Sequence, residues 1–288
     1  MTAGFAVLVI DFDPTGCTGA SVITRLHPGS TDQRSEGCVE QRREVKALTE
    51  AAVACIDAAR AVERPFFHLE FDRVFPDDIY ARMLAAMPAA HDYRPLPGRN
   101  GGNLREDGTS TRVKIDLFPE YIRHLSPDKL PVWDLVGRAL TSSEVQAAFV
   151  RRLAPGLGRR FGRNFASVGM YPIPVLTRDV PGYVIAPHTD TRWKGITVQF
   201  YLPRDASATH IGTIFHERLP DGSLPKVSRM KFAPNTGYAF AVGDNTWHWL
   251  TRSAPRSRPA TASCSPISSM RAFSGSCAIA ASGSATSC

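Results

Sequence analysis

The chain has 288 residues, 43% of them hydrophobic, and a formal net charge of +7, which suits one sizeable apolar core and excludes a wholly disordered chain. Its arginines fall in short groups such as Arg42-Arg43, Arg151-Arg152 and Arg159-Arg160 with acids nearby, so the basic balance does not point to nucleic acid. The first ten residues are apolar but lack a basic flank and run into Asp11 and Asp13, so no signal peptide or membrane span is expected and a cytoplasmic protein is.

In chain order, the run "FAVLVIDF" predicts a short strand whose "DFD" is a strand end rather than a metal pair, and residues 14 to 40 are rich in turn formers. Glu40 to Val62 is Ala-rich and free of Gly and Pro, with Val45, Leu48, Ala52, Cys55 and Ile56 at helical spacing, which predicts one amphipathic helix. An extended segment through Val74-Phe75 follows, and Pro76 opens a helix with Asp77 and Asp78 in its first turn and Ile79, Met83, Leu84 and Met87 on its buried face. His68, in that extended segment, is read as structural.

The Gly-rich "RPLPGRNGGNLREDGTSTR" lacks the order of a phosphate cradle and is read as a loop over a site. Residues 132 to 162 predict one or two helices broken near "APGLG". From Phe165 onward, short apolar segments ("FASVGMYPIPVL", "GYVIAP", "GITVQFYLP", "THIGTIFHE", "VSRMKFAP", "GYAFAVG", "TWHWLT") alternate with turn signals. That rhythm predicts an antiparallel sandwich or barrel rather than βαβ units. The six cysteines lie at 17, 38, 55, 264, 277 and 288 with no CxxC pair, which argues against a zinc knuckle and a disulfide framework.

Chemistry concentrates in "PHTD". On a strand, residues i and i+2 share a face, so His188 and Asp190 can offer an imidazole and a carboxylate to one ion while Thr189 points away. His248, in "NTWHWLT", follows after 57 intervening residues, room for about four short strands. Two histidines and one carboxylate on a β scaffold match the facial triad of non-haem iron oxygenases. His210 and His216 lie at turn and strand-end positions without a matched carboxylate, and His91 and His124 are read as surface residues.

With these motifs, "KGITVQFYLP", "GTIF", "FAPNTGYAF" and the entry stretch "PFFHLEFDRVFPDDIYARMLAAMP", the chain resembles the Fe(II)- and 2-oxoglutarate-dependent dioxygenases of the prolyl-hydroxylase-like branch. The resemblance covers residues 165 to 258 and implies a mainly β fold with a helical N-terminal part (α+β), a double-stranded β-helix of jelly-roll or cupin-like type. It implies iron on His188, Asp190 and His248, and 2-oxoglutarate and dioxygen as co-substrates converted to succinate and CO2 as an unactivated C–H bond is hydroxylated. It also implies a cation for the distal carboxylate of 2-oxoglutarate about eight to eleven residues after the second histidine. Arg256 and Arg258 both fit that spacing, a guanidinium forks onto a carboxylate better than an ammonium does, and Arg258 is the first choice. Tyr201 matches a tyrosine that contacts the same carboxylate, Tyr171 matches another co-substrate contact or is a core aromatic, and Thr197 shares a strand face with Gln199 and Tyr201.

The expected organisation is an N-terminal extension (1–62), a helical support region (63–164), the β-helix core (165–258) and a tail (259–288). In that tail "PATASCSPISSMRAFSGSCAIAASGSATSC" has no acidic residue and no sustained alternation, where the family has a further apolar strand. The barrel-closing strand is therefore expected to be missing or rebuilt, with the distal-carboxylate anchor most exposed to the change. The substrate expected is a small-molecule or amino-acid-type compound, and no membrane is expected. Two rivals stand beside the oxygenase: a non-catalytic metal- or ligand-binding jelly roll, and a cupin-like metalloenzyme that needs no 2-oxoglutarate.

Overall fold

The structure, a computed structural model, describes residues 5–13, 33–98, 102–181, 183 and 185–250. In chain order the elements are β1 (Phe5–Asp13), α1 (Gln33–Ala58), β2 (Arg60–Val62), β3 (His68–Asp72), α2 (Asp77–Ala85), β4 (Arg94–Pro95), β5 (Arg112–Asp116), α3 (Leu130–Leu140), α4 (Ser143–Arg152) and α5 (Ala154–Phe161). Then come β6 (Tyr171–Asp179), β7 (Ile196–Tyr201), β8 (Gly212–His216), β9 (Lys226–Lys231), β10 (Thr236–Ala241) and β11 (His248–Leu250). The fold is mixed α+β.

Eight strands form one sheet in the order β2-β3-β10-β7-β1-β6-β5-β4 and three form a second, β11-β8-β9. Every pairing is antiparallel. The sheets share an apolar layer in which Val7 of β1, Tyr201 of β7 and Tyr238 and Phe240 of β10 meet Phe215 of β8 and Met230 of β9. The other face of the large sheet carries the helices: Leu8, Ile10 and Phe12 of β1 join Leu48 and Ile56 of α1 and Trp133 of α3. The period of two in β1 thus sends even positions to the helices and odd positions toward the second sheet.

β1 departs most from expectation. Placed by sequence in an extension outside the domain, it lies inside the large sheet, paired along Phe5–Asp13 with β6 and along Val7–Phe12 with β7. A buried strand with both edges paired is part of the core. Its neighbours come from distant segments, which its own composition cannot name.

The helices differ in their limits. α1 runs Gln33–Ala58 rather than Glu40 to Val62, because Arg60–Val62 leaves the helix to pair with β3. Leu48, Ala52 and Ile56 are buried as expected, with Val45 and Cys55 partly so. Residues 130 to 161 hold three helices, and "APGLG" opens α5 rather than breaking a helix, since Pro155 stands in the first turn where a missing N–H costs nothing. Ser142 caps α4, its hydroxyl accepting from Val145 N at 3.3 Å. In α3 a Cβ at Gly137 would stand 2.2 Å from Leu117 O, so only glycine allows that close approach. No helix among the described residues is long and apolar enough to cross a membrane.

Candidate metal centre

His188 and His248 are joined by one antiparallel bridge, while Asp190 lies beyond it on a loop. The i, i+2 relation therefore rests on that single bridge rather than on a regular strand. The ligand atoms of His188, Asp190 and His248 all lie within 4.8 Å of one another, close enough for one ion to reach all three. His188 Nδ1 sits 2.9 Å from Ala186 O and His248 Nδ1 3.0 Å from Thr246 O. A carbonyl only accepts, so each Nδ1 carries the proton and each Nε2 keeps its lone pair for a metal.

Burial, and then the nearby His248, lowers the His188 pKa to about 4, which keeps its imidazole neutral. Burial alone would raise Asp190. Lys194, the two histidines and a hydrogen bond from Thr197 outweigh it and hold the carboxyl well below the usual range. Thr197 Oγ1 donates to Asp190 Oδ2 at 2.7 Å, and His248 Nε2 is 3.9 Å from the same oxygen. Lys194 Nζ bridges two carboxylates, 2.9 Å from Asp11 Oδ1 and 3.4 Å from Asp190 Oδ1. Two imidazoles whose Nδ1 atoms are held by backbone carbonyls and an ionised, oriented carboxylate form a donor set suited to a divalent ion, so the group could hold a metal.

A cavity of about 80 Å³ opens on all three residues, and Arg112, Thr197, Gln199, Thr213 and Tyr238 also line it. The hydroxyls behind it are satisfied: Tyr238 donates to Gln199 Oε1 at 2.5 Å, and the Tyr201 and Thr213 hydroxyls are 2.9 Å apart. Arg112 reaches in from β5, its Nε 2.8 Å from Asp179 Oδ1 and its Nη1 donating to the Tyr183 hydroxyl at 2.8 Å. Burial pushes the Asp179 carboxyl up to about 6 against the pull of Arg112, so both partners are charged at neutral pH.

Of the sequence-predicted residues, His188, Asp190, His248 and Thr197 come together. Tyr201 is buried one hydroxyl behind the cavity. Tyr171 is half exposed at the start of β6 and stacks on Phe118 with ring centroids 6.3 Å apart, outside the cavity. Arg256 and Arg258 lie outside the described residues.

Sequence reasoning missed Asp11, Lys194 and Arg112. A signal for Arg112 exists in "RVKID", where Arg112, Lys114 and Asp116 alternate with apolar residues. His68 does have an acidic neighbour at the i+2 spacing: its Nε2 is 3.4 Å from Glu70. No third ligand joins them among the described residues. His216 is buried with its Nδ1 2.6 Å from Leu224 O.

The chain matches no family model, and neither the curated proteins nor the solved structures give a match.

Proposed function

We propose that the two sheets are the walls of a double-stranded β-helix and that the chain is an Fe(II)- and 2-oxoglutarate-dependent dioxygenase. The observation that carries this reading is the convergence of two Nε2 lone pairs and one carboxylate at the mouth of a polar cavity that also holds a guanidinium. His188, Asp190 and His248 would hold the iron, and Arg112 is the cation placed to receive the distal carboxylate of 2-oxoglutarate. Bound together, iron and 2-oxoglutarate supply activation of dioxygen: substrate C–H, 2-oxoglutarate and O2 give the alcohol, succinate and CO2.

The protein's own part is positional. The backbone carbonyls fix the imidazole tautomers, Thr197 and Lys194 orient Asp190, and the apolar layer behind the cavity keeps out bulk water. In the resembled family the strand that completes the barrel beside the co-substrate follows the second histidine. Here β1 stands between β6 and β7, with Val9 opposite Gln199 and Asp11 opposite Thr197.

One observation favours a metal-binding jelly roll without catalysis: Arg112 is already matched by Asp179, which leaves the cavity less attractive to a dianion.

Anaerobic titration with Fe(II) and then 2-oxoglutarate separates the two. A visible charge-transfer band in the wild type, lost in His188→Ala and weakened in Arg112→Lys but not in Arg256→Ala or Arg258→Ala, supports the oxygenase with Arg112 as anchor. A band that vanishes only with Arg258→Ala returns the anchor to the C-terminal segment. Metal binding with no band favours the binding protein.

A further inference from the structure

A second, much larger cavity of about 820 Å³ shares Asp190 with the metal centre. Thr189, absent from the lining of the small cavity, lines this one. Its wall is built by α5, the loop after Asp190 and the loop before His248. Arg160 ties these together, donating to Val242 O at 2.7 Å and also to the carbonyls of Lys194 and Arg192. That guanidinium is structural.

Three further arginines line the same space without such partners. Arg159, Arg192 and Arg218 are exposed and make no ion pair among the described residues. Arg218 lies over the Trp247 ring at 5.6 Å from its centroid. The acids in the lining other than Asp190 are Glu63 and Asp244, and neither is paired with these arginines. Pro65, Phe67 and Pro155 add apolar surface to the same lining. Concentrating unpaired guanidinium groups raises the potential of a cleft and favours an anion there.

The geometry points to a substrate with an apolar body and an anionic head, a carboxylate or a phosphate, bound in the large cavity with its head on Arg159, Arg192 and Arg218. The apolar surface takes the body, and the shared lining residue Asp190 brings the body's C–H bonds toward the metal centre. This inference rests on the oxygenase reading for what happens at Asp190, but binding of the head group does not need the metal.

The test uses the full chain stripped with EDTA and calorimetric titration with benzoate, phenyl phosphate and neutral benzyl alcohol. At least one anion binds roughly tenfold or more tightly than the alcohol, and Arg159→Gln/Arg192→Gln removes that preference, as does Arg218→Gln in part. The preferred anion identifies the head group. Circular dichroism confirms that these surface variants are folded. Equal binding of the neutral probe, or a preference undiminished in the double variant, overturns the proposal. His188→Ala separates the two readings: it abolishes Co(II) absorption yet leaves anion binding intact, and loss of both would place the anion on the triad and sink the inference.

Discussion

His188 and His248 exchange backbone hydrogen bonds, His188 N to His248 O at 3.0 Å and His248 N to His188 O at 2.9 Å, with ring centroids 4.5 Å apart. These main-chain bonds set the distance between the two imidazoles. For the proposed metal, ligands held in this way leave little ordering cost to binding. One Co(II) should bind per chain with no change in far-ultraviolet circular dichroism. His188→Ala, Asp190→Ala and His248→Ala should each weaken binding by about a hundredfold or more, since losing even a supporting contact costs up to that much. Wild-type affinity in any of the three would remove that residue from the ligand set.

Glu70 gives a pH prediction with a definite sign. The His68 ring, its Nε2 3.4 Å from the carboxylate, and then the Arg60 ion pair lower its pKa against the opposing effect of burial. A carboxyl depressed in the folded state adds stability that is complete above its unfolded pKa of about 4.3 and is lost as pH falls through the folded value. Urea midpoints for wild type and Glu70→Gln should differ by a constant amount from pH 7 to 5 and converge below about pH 4. Parallel curves down to pH 3 would show that the His68 and Arg60 contacts contribute nothing.

How much of this was legible in the sequence follows from how far each signal reaches. β6 to β11 each overlap one of the short apolar segments divided by turn signals, and the HxD spacing with a distant histidine named the three converging residues. The placement of β1 was not legible, because a strand's neighbours are chosen by pairing across the chain. Asp11 looked like a strand end because its partner Lys194 is supplied by the loop leading into the neighbouring strand β7, distant in sequence. Arg112 sat at the end of a Gly-rich loop, and only the fold turns its strand toward the triad. His68 and Glu70 show the converse: the same i, i+2 spacing was present and, without a third ligand, set a buried imidazole beside a half-buried carboxylate.

The place of β1 in the core can be weighed directly. Ile10 is fully buried, paired with Pro174 on one side and Val198 on the other. Truncating it leaves a cavity among the helices, so Ile10→Ala should cost about 2–5 kcal/mol in urea denaturation, in a single transition. A loss under about 0.5 kcal/mol, typical of surface substitutions, would make β1 an appendage.

Lys194 offers the sharpest link between stability and the proposed metal. Its ammonium stays charged although burial opposes that, because Asp190 and Asp11 flank it. Burial raises Asp11 even with Lys194 beside it, so removing the cation leaves two carboxylates that repel in a site shut off from water. Lys194→Met should therefore destabilise the metal-free protein by about 3–5 kcal/mol, the usual cost of breaking a buried pair. A divalent ion on His188, Asp190 and His248 restores positive charge next to Asp190. Added Co(II) should then raise the melting temperature of Lys194→Met by more than it raises that of the wild type. Equal increments in both proteins would mean that Lys194 and the ion do not act on the same carboxylate, and that the lysine serves packing rather than the metal centre.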